Sequence, residues 1–167
     1  MATVKHALLL ALLLSPPLWA LGSDGEQPIS VEADSLEVRE KESISIYQGN
    51  VSLTQGSLEI NSERLVIHFN QANDLVLMEM TGSPARFRQL DDQQREMLGQ
   101  ARRINYRNAE SMLELIEDAR FSHAGDTIES KLIRINTEDN NIQAGSSDTD
   151  ERVKMLIQPR NNRLSTE

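Results

Sequence analysis

Three histidines, two acidic clusters and a complete lack of cysteine bound the chemistry open to this 167-residue chain. Without thiols there is no disulfide framework, thiolate metal site, thiol nucleophile or lipid-modified N-terminal cysteine. His6, His68 and His123 offer no zinc spacing such as H-x-x-x-H. His68 stands between Ile67 and Phe69 at a position of outward parity, and His123 reads as a turn residue ahead of Gly125. Asp91-Asp92 and Asp148-Thr149-Asp150-Glu151 could pair carboxylates for acid–base work or hold Ca²⁺ weakly. Both lie in polar stretches with no apolar wall to shift a pKa, so they read as solvated loops. Neither a G-x-S-x-G elbow nor a glycine-rich phosphate loop is present. The expectation is no catalytic residue, no metal and no cofactor; a hydrolase would have to rest on Asp148, Asp150 and His123.

Composition narrows the partners. With 17 Lys+Arg against 26 Asp+Glu, the formal net charge of −9 leaves no electrostatic footprint for nucleic acid. An apolar share of 38% with 4% aromatics suits a thin β-layer or an open groove better than a thick core. At the N-terminus, Lys5 and His6 precede an apolar run from Ala7 to Leu14, closed by Ser15-Pro16-Pro17. That is the layout of a secretory signal peptide, too short for a membrane span of about 20 residues. Cleavage after Gly22 or Ala20 satisfies the small-residue rule, and removal of 1–22 takes away Lys5 and no acid. The expectation is an exported chain, soluble in the periplasm or outside the cell, with one domain over 23–159 and a polar tail at 160–167.

An internal repeat organises that domain. Ala33-Asp34-Ser35-Leu36-Glu37-Val38, Ser62-Glu63-Arg64-Leu65-Val66-Ile67, Ala101-Arg102-Arg103-Ile104-Asn105-Tyr106 and Ser130-Lys131-Leu132-Ile133-Arg134-Ile135 share one pattern: a small residue, polar residues, then apolar-x-apolar. Their small residues are 29, 39 and 29 positions apart. Period-two alternation predicts strands with one buried face. The parity slips by one after each small residue, which predicts a bulge or kink at Asp34-Ser35 and its equivalents. Partner strands run through Gly49-Asn50, Gly82-Ser83-Pro84 and Glu117-Asp118, with turns at Arg39–Ser43, Asn70–Asp74 and Glu138–Asn141. Residues 109–120 have helical spacing (Met112, Leu115, Ile116, Ala119), but the repeat register favours a strand. The inserted stretch 91–100 reads as a loop or one helical turn.

The inward parity carries medium aliphatics: Ile29, Val31, Leu36, Val38, Ile46, Val51, Leu53, Leu58, Ile60, Leu65, Ile67, Ala85, Phe87, Ile104, Leu115, Phe121, Ile128, Ile133 and Ile135. Such a lining suits acyl chains, at about 0.8 kcal/mol per buried CH₂. The alternative is a closed β-module whose faces fill one another and which assembles by strand addition without lipid.

Pro28-Ile29-Ser30-Val31-Glu32-Ala33-Asp34-Ser35-Leu36, Tyr47-Gln48-Gly49-Asn50-Val51 and Thr54-Gln55-Gly56-Ser57-Leu58-Glu59-Ile60-Asn61 resemble the OstA-like (LptA-type) family of periplasmic lipopolysaccharide-transport proteins. Gly82-Ser83-Pro84-Ala85-Arg86-Phe87, Tyr106 and Arg152–Pro159 also fit; Glu117-Asp118-Ala119 departs from the family's Gly-Asn-Ala. The resemblance implies an all-β fold, a bent, half-open antiparallel β-jelly roll with an apolar groove and no enzymatic activity. It implies a periplasmic carrier of lipopolysaccharide, through its lipid A. Copies would stack head-to-tail between inner-membrane-anchored and outer-membrane components of the same type of fold. Ile29, Phe87 and Tyr106 would face the lipid. Joined with the inward parity, the expected lipid-binding set is Ile29, Val31, Leu36, Val38, Val51, Leu53, Ile60, Leu65, Ile67, Phe87, Ile104, Tyr106, Phe121, Ile133 and Ile135. The terminal strands near Ile29–Val38 and Arg152–Pro159 would be the two edges.

Overall fold

A computed structural model describes residues 24, 27–139, 141–145 and 152–159. The expected signal peptide, the polar tail and the Asp148–Glu151 cluster lie outside the described residues. Ten strands follow in chain order: β1 (Ser30–Glu32), β2 (Ser35–Arg39), β3 (Ile44–Gln55), β4 (Leu58–Phe69), β5 (Leu75–Leu90), β6 (Glu96–Arg107), β7 (Met112–His123), β8 (Asp126–Asn136), β9 (Ile142–Ala144) and β10 (Lys154–Leu156). They form one antiparallel sheet in which β3 to β8 are a simple meander. At one edge β1 and β2 pair with the two ends of β3; at the other, β10 and β9 pair with the two ends of β8.

Each long strand is bent at one level. Register shifts fall between Gln48 and Val51, Asn61 and Arg64, Thr81 and Ala85, Gln100 and Arg103, and Ile116 and Ala119. Two residues oppose one, or more oppose fewer, so β4 to β8 keep an apolar side inward on both sides of the bend. In β3 the half before the bend turns Ser45 and Tyr47 inward, and Ile46, expected inward, lies on the outer face opposite Val66. The parity slip in the sequence is this line of bulges, and β1 and β2 are separated at the same level by Ala33-Asp34. Residues meeting at the line are small: Val51 opposite Ser62, Ala85 opposite Ala101, and Ala119 opposite Ser130. There the sheet doubles over. The Ser62 hydroxyl is buried without a hydrogen-bond partner, a cost of about 1–3 kcal/mol, so this position uses its size and not its polarity.

Doubling over brings the inner face against itself. One cross-strand row runs Leu36, Tyr47, Leu65, Met80, Ile104, Leu115, Ile133, Ala144. A row on the other side of the fold line runs Val31, Leu53, Ile60, Phe87, Gly99, Phe121, Ile128, Met155. Leu53, Leu65, Met80, Ile104, Leu115 and Ile133 are fully buried, each stabilising the fold by about 1.5–3 kcal/mol.

Two expectations change at the ends of strands. Residues 91–100 are not a loop or a helical turn throughout: the turn ends at Arg95 and β6 begins at Glu96. Met97 and Gly99 pair with Gln89 and Phe87, so the insertion lengthens β5 and β6. Residues 109–120 are strand from Met112 onward, entered through a 3₁₀ turn at Asn108–Glu110, so register prevails over helical propensity.

Candidate functional site

Away from the fold line the two halves part, and between their lips lies a cavity of about 1440 Å³. Its floor is apolar: Ile29, Leu58, Ile60, Leu75, Met78, Phe87, Leu90, Tyr106 and Leu113. Its rims are strand ends. One rim comes from the β3–β4 hairpin and the β5–β6 turn (Gln55, Gly56, Ser57, Gln89, Asp91, Asp92, Gln94), with Asp24 and Gln27 laid against it. The other comes from the turns after β6 and β8 (Asn108, Ser111, Thr137, Glu138). Beyond Phe87 the same cleft narrows to a recess of about 230 Å³ that adds Met97, Phe121 and Ile135 to its walls.

Phe87 owes its pose to a missing side chain. On the inner face it lies next to Gly99, which lies next to Phe121. A Cβ on Gly99 would come within 1.9 Å of the Phe87 ring. The ring therefore lies across the glycine toward Phe121, with centroids 6.3 Å apart and planes at 26°. This is the service a strand glycine gives an aromatic neighbour, and it keeps both rings flat on the cleft wall.

Two carboxylates tie the first rim together. Asp24 accepts the Ser57 amide (2.9 Å), the Ser57 hydroxyl (2.6 Å) and the Gln89 side-chain amide (3.0 Å). Burial works to raise the Asp24 carboxyl, but the bonds from Ser57 and Gln89 outweigh it and hold the group below the ordinary range. A Cβ at Gly56 would meet Asp24 at 2.3 Å, and Gln55 donates to the Gln27 carbonyl (3.0 Å). The distinctive Gln55-Gly56-Ser57 run is thus a dock for the chain's own N-terminal segment. Asp91 accepts the amides of Gln93 (2.8 Å) and Arg95 (2.9 Å) and pairs with the Arg95 guanidinium (2.7 Å) and His123 Nε2 (2.8 Å). Here too burial opposes ionisation, and bonds from Arg95, His123 and Gln93 overcome it, so Asp91 lies well below the carboxylate range. These findings correct two readings. Asp91 is not a solvated loop residue, its side chain being 11% exposed, and His123 is not in a turn but ends β7 facing inward. Only the fold brings the two together.

The expected lipid-facing residues fall into four groups. Ile29, Ile60, Phe87 and Tyr106 line the cavity, and Phe121 and Ile135 line the recess. Val51, Leu53, Leu65, Ile67, Ile104 and Ile133 pack in the core, with Val31 against it. Leu36 and Val38 sit on the free edge strand β2, 55% and 58% exposed. Ile60, Phe87, Phe121 and Ile135 belong to the same buried cluster as the core residues and differ in also bordering the open space, a distinction that parity does not carry. Met78 and Leu113, outside the expected set, stand opposite Ile67 and Tyr106 and follow from parity once the register is known. Leu75, Leu90 and Met97 also line the cleft from outside that set. His68 keeps its outward parity and pairs with Glu79 (2.8 Å). Among the described residues no group of acids and histidines could hold a metal ion.

A family model described as LptA/(LptD N-terminal domain) LPS transport protein matches residues 30–141. The chain is 30% identical over 148 residues to the lipopolysaccharide export system protein LptH of Pseudomonas aeruginosa, covering 84% of this chain and 85% of that one. It is 27% identical over 148 residues to the lipopolysaccharide export system protein LptA of Escherichia coli K12, covering 87% and 78%. The crystal structure of LptH, described as the LptA-homologous periplasmic component of the lipopolysaccharide transport device of Pseudomonas aeruginosa, superposes with a TM-score of 0.75. That superposition has 28% sequence identity and covers 83% of this chain and all of that one.

Proposed function

This chain belongs to the LptA/(LptD N-terminal domain) family of LPS transport proteins, and from that premise we propose that it carries lipopolysaccharide across the periplasm, taking the acyl chains into the cleft between its lips. The observation that carries the reading is the apolar floor of the 1440 Å³ cavity, open between two polar rims. A closed structural module would leave no such space. With a net charge of −9 and Asp24, Asp91, Asp92 and Glu138 on the rims, attraction to an anionic glycolipid does not drive binding; acyl burial does. The role is that of a carrier and not of a catalyst.

The same reading extends to assembly. Both edges offer strand backbone and exposed apolar side chains: Leu36 and Val38 at one, Met155, Leu156 and Ile157 at the other. Head-to-tail pairing of unlike edges would cover them and continue the inner face from copy to copy, or onto transport components of the same fold at either membrane. A proline at Met155 removes a ladder donor and is expected to weaken self-association in sedimentation; unchanged sedimentation would refute the edge assignment.

The test of the carrier reading is in-cell photocrosslinking from Phe87, with Arg86 as the neighbour of opposite parity. Lipopolysaccharide is expected at 87 and not at 86. Capture at neither position returns the weight to the closed module.

A further inference from the structure

The cleft is not uniform along its length, and we infer that its narrow end is a single-chain subsite whose gate is the Phe87–Phe121 pair lying over Gly99. This rests on the lipid reading above and adds a selectivity to it. On the β3–β5 side, the cavity holds about 1440 Å³; beyond Phe87, the recess holds about 230 Å³, room for roughly eight water-sized groups. At that volume the recess takes about eight methylene groups, one chain end and not two. The two spaces share the rim residues Gln89, Asp91, Asp92, Thr137 and Glu138 and the apolar walls Phe87, Leu90 and Leu113, and the recess is distinguished by Met97, Phe121 and Ile135 beneath them. Phe121 wall only the recess side, stacked on Phe87 at 6.3 Å.

The junction of the two spaces is packed from both sides. The Phe87 ring fills the space that a Cβ at residue 99 would need, so any side chain there would push the ring off the wall. Phe121 sits 6.4 Å from the His123 ring, and His123 is tied to Asp91, which Arg95 and two backbone amides also hold. Asp91 itself reaches the recess, so the clasp closes the rim immediately above the aromatic pair. Asp92 and Glu138 add two more carboxylates at that rim. The same three carboxylates also line the wide cavity, so the recess is set apart by its size and walls and not by its charge. The ligand that fits is a single acyl chain, either the chain of a one-chain lipid or one chain of a larger lipid whose other chains stay in the wide part of the cavity.

The test uses two probes carrying the same diazirine-labelled acyl chain, a lysophosphatidylcholine with one chain and a phosphatidylcholine with two. Each is irradiated with the purified chain and the adducts are mapped by mass spectrometry. The one-chain probe is expected to label Met97 and Ile135 in the recess as well as Ile60 and Tyr106 in the cavity. The two-chain probe is expected to label the recess at least fivefold less. Phe121→Ala is expected to abolish that difference. Phe87→Leu, a milder change of the same gate, is expected to reduce the difference. Equal recess labelling by both probes in the unaltered chain would overturn the subsite. Cavity labelling by both probes with an unlabelled recess would also overturn it and leave the carrier reading standing. No labelling anywhere, with lipopolysaccharide also failing to crosslink at Phe87, would overturn both.

Discussion

The two halves of the sheet are built on one plan, 68 positions apart, and they carry it out with different side chains. Ser43 and Ser111 both end a 3₁₀ turn in the left-handed region, and their carbonyls accept the amides of Phe69 and Thr137. Gly49-Asn50 and Glu117-Asp118 form the bulges of β3 and β7, with φ of +79° and +46° in the first and +65° and +53° in the second. In the first, Asn50 donates to Asp34 (2.9 Å), and a Cβ at 49 would strike the Asp34 carboxylate at 2.2 Å. In the second, Arg102, which stands where Asp34 stands, pairs with Asp118 (2.6 Å). Glycine is therefore demanded at 49 by a neighbour and not by the bend alone. The bend is imposed by the doubled sheet, which holds a glutamate in left-handed backbone at some cost when no glycine is available.

The comparison is broken most severely at its first member. Gly49→Ala is expected to lose about 2–3 kcal/mol in urea unfolding, from left-handed strain and displacement of the Asp34–Asn50 bond. A loss no larger than that of an exposed strand substitution would mean that the two bulges are equally permissive. The rims give the second test, because Asp24 on Ser57 and Asp91 on His123 clasp corresponding hairpins. Asp91→Asn is expected to lower the urea midpoint at pH 7, by less than Gly49→Ala does. Since the folded-state pKa of Asp91 is depressed, its stabilisation is present above the ordinary carboxylate value, about 4, and fades as pH falls below it. The gap between Asp91→Asn and the unaltered chain should therefore narrow on acidification; a gap that widens would reject the clasp. Third, Glu117→Gly is expected to stabilise by about 0.5–1 kcal/mol, seen as a Tm rise of roughly 2–4 °C. No rise would mean that Glu117 is not strained there.

Much of this plan was legible in the residues because it is periodic. The small residue followed by a parity slip at Ala33, Ser62, Ala101 and Ser130 reports a bulge, and the alternation after it reports a buried face. Tertiary closure leaves no such trace. Leu65 and Ile60 have the same inward parity, yet one is sealed in the core and the other opens on the cavity, according to where the doubled sheet parts. Asp91 and His123 are 32 positions apart, and their pairing depends on the length of β5 and β6, which the ten-residue insertion hid. Gly99 reads as a weak point in a strand until the Phe87 ring is seen to occupy its empty side.

The smallest expected effects come from exchanging the second bulge residues, and their asymmetry is informative. The Asp118–Arg102 pair is largely exposed, at 73% and 67%, so its charge is worth little. Asn tolerates left-handed backbone as well as Asp does and can still hydrogen-bond the guanidinium. Asp118→Asn should change stability by no more than about 0.5 kcal/mol. Asn50→Asp makes the reverse exchange and replaces a donor to Asp34 with a second carboxylate, so repulsion takes the place of a hydrogen bond. It should cost more than Asp118→Asn, by about 0.5 kcal/mol at low ionic strength, and the excess should shrink as salt is added. Equal and salt-independent effects at the two positions would mean that neither side chain steers its bulge and that the doubled sheet alone sets both.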